Sequence, residues 1–360
     1  MARAGLIKIF TEVSADADNI NAQSLSVRQI VSRLDPNRFH VTMTCRGPVD
    51  PKLADRPNTR FIRAGHRGTA LRNLAACLTG RPDIYFYPLP SPITEAFLWT
   101  RKYLRLHTKL VVHAVSGYGL MKGFKMDWFG GNAVRKAIAQ ADVVIGNSHW
   151  VAESVQQEFG RTAGVIHNGI DRNYFYPPLD GSRTNQGKVR ALYVGSFRPY
   201  KNVKRVVELA AKYPHVDFVL IGDGEERRNC EVMASSLGNV TFLGNTKPSD
   251  VGEKMRTADI FLFPSTMEGH PQVLGQAAAC GLPSVARDAY DPDYVIHGST
   301  GFLAATEKEF SEYFDLLVRD QALRERMGGV AAYHANDFDW DRSAQQWSEV
   351  FERAVMKGAD

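Results

Sequence analysis

Between Asp259 and Ser284 the chain reads DIFLFPSTMEGHPQVLGQAAACGLPS, and several side chains able to do chemistry fall there. The apolar run to Phe263 predicts a buried strand. Glu268, Gly269 and His270 form a loop, and Pro271 suits the first position of a helix continued by Gln272 to Ala279. The first N–H groups of a helix lack partners within it and carry the positive end of its dipole, so this turn can hold an anion. Gly269 allows close backbone approach. Glu268, at the mouth, can accept from sugar hydroxyls or neighbour developing positive charge. Gln276 follows eight positions later, about two helical turns inward. Arg198 and Lys201 flank a turn after another strand-like run. Two cations beside a helix start would suit an anion. Each feature also has a plainer reading: a glutamate that only caps its helix, and a solvated basic turn.

The elements that must position these groups alternate. Strand-like runs occur at 6–10, 39–45, 83–87, 109–113, 143–146 and 164–167, with helical patterns between most of them. They restart at 189–195, 216–221, 240–243, 260–263 and 284–286. Buried runs alternating with helices predict parallel sheets covered on both faces. The stretch PPLDGSRTNQGK (177–188) has linker composition. The expected α/β architecture is therefore two Rossmann-like domains facing each other across a cleft. The first domain spans 1–177 and the second 178–340. A helix over 341–358, capped by Asp341, packs back on the first.

Other motifs fail. Gly222 and Gly224 follow a strand, but the third glycine of a dinucleotide fingerprint falls on Arg227. GSRTNQGKV (181–189) has the wrong glycine spacing for a phosphate loop, and Val189 stands where a magnesium ligand belongs. There is no HExxH. The Asp-x-Asp pairs, such as Asp16/Asp18 and Asp291/Asp293, lie in loop-like contexts, so no metal is expected. The four cysteines are at least 32 residues apart, which excludes a CxxC motif and points to a reducing compartment. No apolar run approaches the roughly 20 residues of a membrane span. Residues 1–178 carry 23 basic and 13 acidic side chains, and the remainder 21 and 26. A basic first half suits an anionic ligand or membrane surface, or is simply a solvated face. In YGLMKGFKMDWF (118–129), Trp128 and Phe129 could insert into a membrane surface or acceptor while Lys122 and Lys125 meet phosphates, or the stretch is a packed amphipathic helix.

The second half resembles the donor-binding domain of the family 4 glycosyltransferases, retaining enzymes of the GT-B fold. The matching strings are YVGSFRPYKN (193–202), FVLIGDGEE (218–226), VTFLGN (240–245), ADIFLFPSTMEGHPQVLGQAAACGLPSVA (258–286) and HGSTGFLA (297–304). In the first half SRLDPNRFHVT (32–42), ADVVIGNSHWVAE (141–153) and VIHNGIDRNYFYP (165–177) fit.

The resemblance implies that Glu268 contacts the donor sugar and supports the transition state. The family's ribose-holding glutamate falls on Gln276, a departure that leaves a neutral amide there. Lys201 matches the diphosphate lysine. The family's arginine after the strand glycine is replaced by Ser196, and Arg198 supplies a guanidinium two residues on. His113 matches a histidine placed near the reacting sugar; a satisfied core histidine is the alternative. The family's glycine-rich loop is matched by SADADNINAQS (14–24), which has no glycine, so Asn19 and Asn21 are the expected polar contacts. Gly222, Gly224 and Asn245 are candidates for base recognition, and Gly269, His270 and Pro271 for the diphosphate. The implied activity is retaining, metal-independent transfer of a sugar from a nucleoside-diphosphate donor to a glycan or lipid-linked acceptor. No cofactor and no nucleic-acid partner are expected, and the place is cytoplasmic, peripheral on the inner face of the membrane. A non-catalytic sugar-binding protein and a nucleotide-sugar epimerase share the fold and stay open.

Overall fold

The apolar runs of the first half become strands of one parallel sheet. A computed structural model describes residues 5–19, 21–63, 69–87, 91–115, 131–179 and 187–356. Trp128 and Phe129 lie outside the described residues. The chain divides into two units, residues 1–169 with 340–360, and residues 170–339. Within the first, among the described residues, β1 (Ile7–Ser14), β2 (Phe39–Cys45), β3 (Thr59–Arg63), β4 (Ile84–Phe86), β5 (Lys109–Ala114), β6 (Val143–Gly146) and β7 (Gly164–Val165) pair in the order 3-2-1-4-5-6-7. The connecting helices are α1 (Ala22–Arg33), α2 (Pro51–Ala54), α3 (Thr69–Gly80), α4 (Pro92–Leu104), α5 (Gly131–Gln140) and α6 (His149–Phe159). The order reverses between β1 and β4, the switch point where parallel sheets bind ligands at their carboxyl edge. Side-chain caps fix helix entries there: Asn21 Oδ1 accepts from Ser24 N–H at 2.7 Å, and Ser148 Oγ from Val151 N–H at 3.1 Å.

The second unit repeats the plan. Strands β8 (Arg190–Val194), β9 (Asp217–Ile221), β10 (Val240–Gly244), β11 (Ile260–Phe263), β12 (Ser284–Arg287) and β13 (Gly301–Ala304) pair as 10-9-8-11-12-13. Its helices are α7 (Lys204–Lys212), α8 (Arg227–Met233), α9 (Pro248–Thr257), α10 (Gln272–Ala279), α11 (Glu307–Arg319) and α12 (Gln321–His334). Its switch point lies between β8 and β11, so the loops after these two strands are neighbours.

The C-terminal helix, α13 (Trp340–Met356), belongs to the first unit. The Trp347 and Phe351 rings lie 4.9 and 5.0 Å from Phe86, and both side chains are buried. Burial of one such side chain contributes roughly 1.5–3 kcal/mol, which holds the helix to this sheet. Two boundaries differ from expectation. The division falls at 169/170 rather than 177/178, because Ile170 N–H donates to Phe338 O at 3.1 Å and Tyr174 O accepts from the Arg256 guanidinium at 2.8 Å. Asp341 does not cap α13; it sits in the first turn and pairs with Arg33 at 2.5 Å.

Candidate active site

In the second unit, β8 and β11 are adjacent, so their trailing loops meet. The Arg198–Lys201 turn is bound to the Thr266 loop through Thr266 N–H, which donates to Tyr200 O at 2.8 Å. Lys201 Nζ forms an ion pair with Glu268 Oε1, and Ser265 Oγ donates to the same oxygen at 2.6 Å. Both charged side chains are largely buried, at 14% and 13% exposure. Glu268 is thus committed to Lys201 and Ser265 and does not cap α10, whose N-terminus has no side-chain cap. Pro271 is the residue before the helix rather than its first member; its ψ of 94° is outside the helical range, and α10 begins at Gln272. Gln276 is half-buried on the second turn of α10. Arg198 is exposed and makes no ion pair among the described residues.

Two further groups surround Glu268. Burial, and secondarily the Glu268 charge, push the phenols of Tyr193 and Tyr290 well above their usual range. Both are therefore neutral hydroxyls at physiological pH. Tyr193 OH donates to Ser196 O at 3.0 Å, which fixes the turn where the family arginine would stand. Tyr290 OH is buried without a partner among the described residues. The residue types of Ser265, Tyr193 and Tyr290 announce no contact with Glu268: the adjacency of β8 and β12 to β11 brings the two tyrosines there, and Ser265 reaches it within one loop.

His270 turns inward. Its ring stacks on Tyr294 with centroids 4.2 Å apart, and its Nδ1 lies 3.2 Å from Tyr294 OH. Its side chain is fully buried, so any ligand contact at this position comes from its backbone. Gly275 makes room for Tyr294, since a Cβ there would lie 2.5 Å from the ring. At the end of β9, Gly222 has φ +127°, and a Cβ would stand 1.9 Å from Gly195 O. No larger residue fits that crossing. Gly224 and Asn245 are exposed on the loops after β9 and β10.

In the first unit, His113 is buried between Tyr87 and Trp347, with ring centroids 5.3 and 4.9 Å away. Burial lowers its pKa to about 3, so it is neutral. Neither ring nitrogen has a hydrogen-bond partner among the described residues. Arg28 shapes the glycine-free loop after β1: its guanidinium donates to Asp16 O at 2.5 Å and Asn19 O at 2.9 Å and pairs with Asp50 at 2.9 Å. Asn19 Oδ1 accepts from Asn21 N–H at 3.2 Å, and Asn21 Oδ1 caps α1.

Two sheets of this order, each with its switch point, are the fold of the GT-B glycosyltransferases. A sucrose-phosphate synthase from Thermosynechococcus elongatus superposes with TM-score 0.81 at 20% identity, covering 98% of this chain and 100% of that one. Anabaena HepE, solved with UDP and glucose, gives TM-score 0.75 at 20% identity over 96% and 99%. The family model Glycosyltransferase Family 4 matches residues 23–174, and Glycosyl transferases group 1 matches residues 180–332. Between them they take in most of the sequence, and the chain belongs to the family 4, group 1 glycosyltransferases. An uncharacterized glycosyltransferase of Methanocaldococcus jannaschii is 26% identical over 74% of this chain and 73% of its own length. The N,N'-diacetylbacillosaminyl-diphospho-undecaprenol alpha-1,3-N-acetylgalactosaminyltransferase of Campylobacter jejuni is 31% identical over 55% and 58%.

Proposed function

We propose that this chain transfers a sugar, with retention of configuration, from a nucleoside diphosphate to an acceptor hydroxyl. The observation that carries the reading is the Lys201–Glu268 pair beside the start of α10 at the second unit's switch point. As the anomeric bond breaks, negative charge grows on the diphosphate and the sugar becomes oxocarbenium-like. Lys201, Arg198 and the backbone N–H groups of Gly269 and His270 meet the first charge, with Pro271 turning the chain into α10, and Glu268 meets the second. Those cations and the helix dipole supply the positive charge, so we read the reaction as metal-independent. Gln276 faces the ribose, with Gly222, Gly224 and Asn245 near the base. His113 lies near the reacting sugar, and Asn19 and Asn21 serve the acceptor side.

A panel of UDP-, GDP- and ADP-sugars, assayed for release of nucleoside diphosphate, tests this. Native protein is expected to turn over at least one donor, because ribose binding is largely uniform and affects KM before kcat. Gln276→Glu should tighten donor binding several-fold, since a charged acceptor makes a hydrogen bond worth roughly 1.5–3 kcal/mol rather than about 1. A native protein inert with every donor, with activity gained only in Gln276→Glu, would make the wild-type chain a sugar-binding relative instead.

The Campylobacter relative is named for a diphospho-undecaprenol acceptor, which supports a lipid-linked acceptor here. We also read the protein as peripheral on the cytoplasmic face of the membrane. The first unit carries 25 basic and 16 acidic residues. On α4, Trp99, Tyr103 and Leu104 are 62%, 59% and 63% exposed, with the two rings 4.7 Å apart and Lys102 Nζ 5.6 Å from the Tyr103 ring. Exposed aromatics beside cations suit the headgroup layer. No helix among the described residues is long and apolar enough to cross a membrane. Co-sedimentation should occur with anionic but not neutral vesicles, weaken with salt, and fall in Trp99→Ala/Tyr103→Ala. Equal partitioning onto both vesicle types would refute the electrostatic account.

A further inference from the structure

We propose that Asn147 is a sugar-hydroxyl-binding residue, acting with His113 at the carboxyl edge of the first unit's sheet. This rests on the transferase reading for the chemistry of its ligand, a hydroxyl-bearing sugar ring.

Asn147 lies between the end of β6 and the cap of α6, and is 4% exposed. Its Oδ1 is buried with no hydrogen-bond partner among the described residues. Helix capping does not explain an asparagine here, because Ser148 Oγ already takes that role. Backbone pairing does not require it either: its N–H donates to Ala114 O at 3.0 Å, a bond any residue but proline makes. That bond holds Asn147 beside the end of β5. In the ladder His113 stands opposite Ile145 and Ala114 opposite Gly146, so Asn147 is the next residue past the ladder. His113, on the adjacent strand, is 3% exposed, and neither ring nitrogen has a partner among the described residues.

Buried polar groups in folded proteins are almost always hydrogen-bonded. Two such residues, unsatisfied at adjacent strand ends, disfavour the ligand-free fold. Such local conflict is expected where a ligand completes the bonding. The chemistry of the pair specifies that ligand. A neutral imidazole offers one donor and one acceptor, and Oδ1 offers an acceptor. Sugar hydroxyls donate and accept at once and fit this set, whereas a phosphate, which only accepts, does not.

The test compares wild type with Asn147→Leu, which keeps the branched four-atom skeleton and removes the polar atoms; Asn147→Ala serves if the leucine variant misfolds. Three quantities are measured: the urea midpoint, affinity for UDP, GDP and ADP with their glucose conjugates, and affinity for free glucose and N-acetylglucosamine. We expect an unchanged or higher urea midpoint, unchanged nucleoside-diphosphate affinity, and about fivefold weaker sugar binding, the loss of one neutral hydrogen bond. Weakening confined to the conjugates places Asn147 on the donor sugar. Weakening confined to the free sugars places it on the acceptor. Both support the proposal. A lower urea midpoint with all affinities intact would show Asn147 bonded to buried water as a structural residue, and overturns it. So does a variant indistinguishable from wild type in every sugar titration. If no nucleotide binds wild type, the transferase reading fails, while the free-sugar arm still decides Asn147.

Discussion

Replacing Glu268 with alanine is expected to cut turnover at least tenfold while affinity for the free nucleoside diphosphate holds or rises. The direction on binding follows from the Lys201–Glu268 pair. In the ligand-free protein the Lys201 charge is compensated by Glu268, and an incoming diphosphate competes with that carboxylate. Removing the carboxylate frees the lysine for the ligand. Turnover falls because the oxocarbenium-like sugar loses its anionic neighbour, an interaction stronger in the transition state than in the ground state. Glu268→Gln separates charge from shape: the amide carbonyl can still accept from Ser265, yet carries no charge. We expect it to behave like the alanine variant in turnover. Calorimetry and initial rates decide the matter. Wild-type-like turnover removes Glu268 from the chemistry. Loss of nucleoside-diphosphate affinity in step with turnover would mean that the carboxylate acts by holding Lys201 in place.

Much of this site was legible because it is local in sequence. The strand, loop and helix from Ile260 to Ala279 follow one another without interruption, and their order can be read from apolar runs and turn residues. What was not legible depends on which strands lie side by side. Ser265 is the exception, local in sequence but given its role by the fold of the loop, which turns its hydroxyl onto Glu268. Tyr193 and Tyr290 lie on either side of that segment in sequence, yet both phenols feel the Glu268 charge. His270 misleads for a related reason. Its place in the loop points to a ligand, while Tyr294, 24 residues on, draws its ring into the core.

The missed strands have a similar cause. β3 is five residues with two arginines and no buried position, and β13 is four residues opened by a glycine. Each is held by pairing to one neighbour; β3 has little hydrophobic pattern to betray it, and β13, though apolar, is short. The domain boundary slipped because 170–177 has linker-like neighbours in sequence, whereas its hydrogen bonds go to Phe338 and Arg256.

The Lys201→Ala variant is expected to show the largest loss of function. Removing one preorganised positive donor from a developing anion typically costs roughly 3–4 kcal/mol, so turnover should fall about 10²–10³-fold. Affinity for nucleoside diphosphate should fall too, since the lysine meets the ligand in the ground state as well as at the transition state. Stability gives an independent readout. Ion pairs between exposed side chains typically contribute about 0.2–1 kcal/mol, and a solvated basic turn would show no more. Lys201 and Glu268 are mostly buried, and deleting one partner strands the other. Lys201→Ala should therefore lower the urea midpoint by more than a surface pair could explain. The double variant Lys201→Ala/Glu268→Ala should recover part of that stability, because no charge is left unpaired, and recover none of the turnover. A coupling above about 1 kcal/mol in this cycle, with activity lost in all three variants, places the pair in the site. Additive stabilities with nucleoside-diphosphate affinity intact in Lys201→Ala would reduce the lysine to part of a solvated turn, and the diphosphate would have to be held by Arg198 and the start of α10 alone.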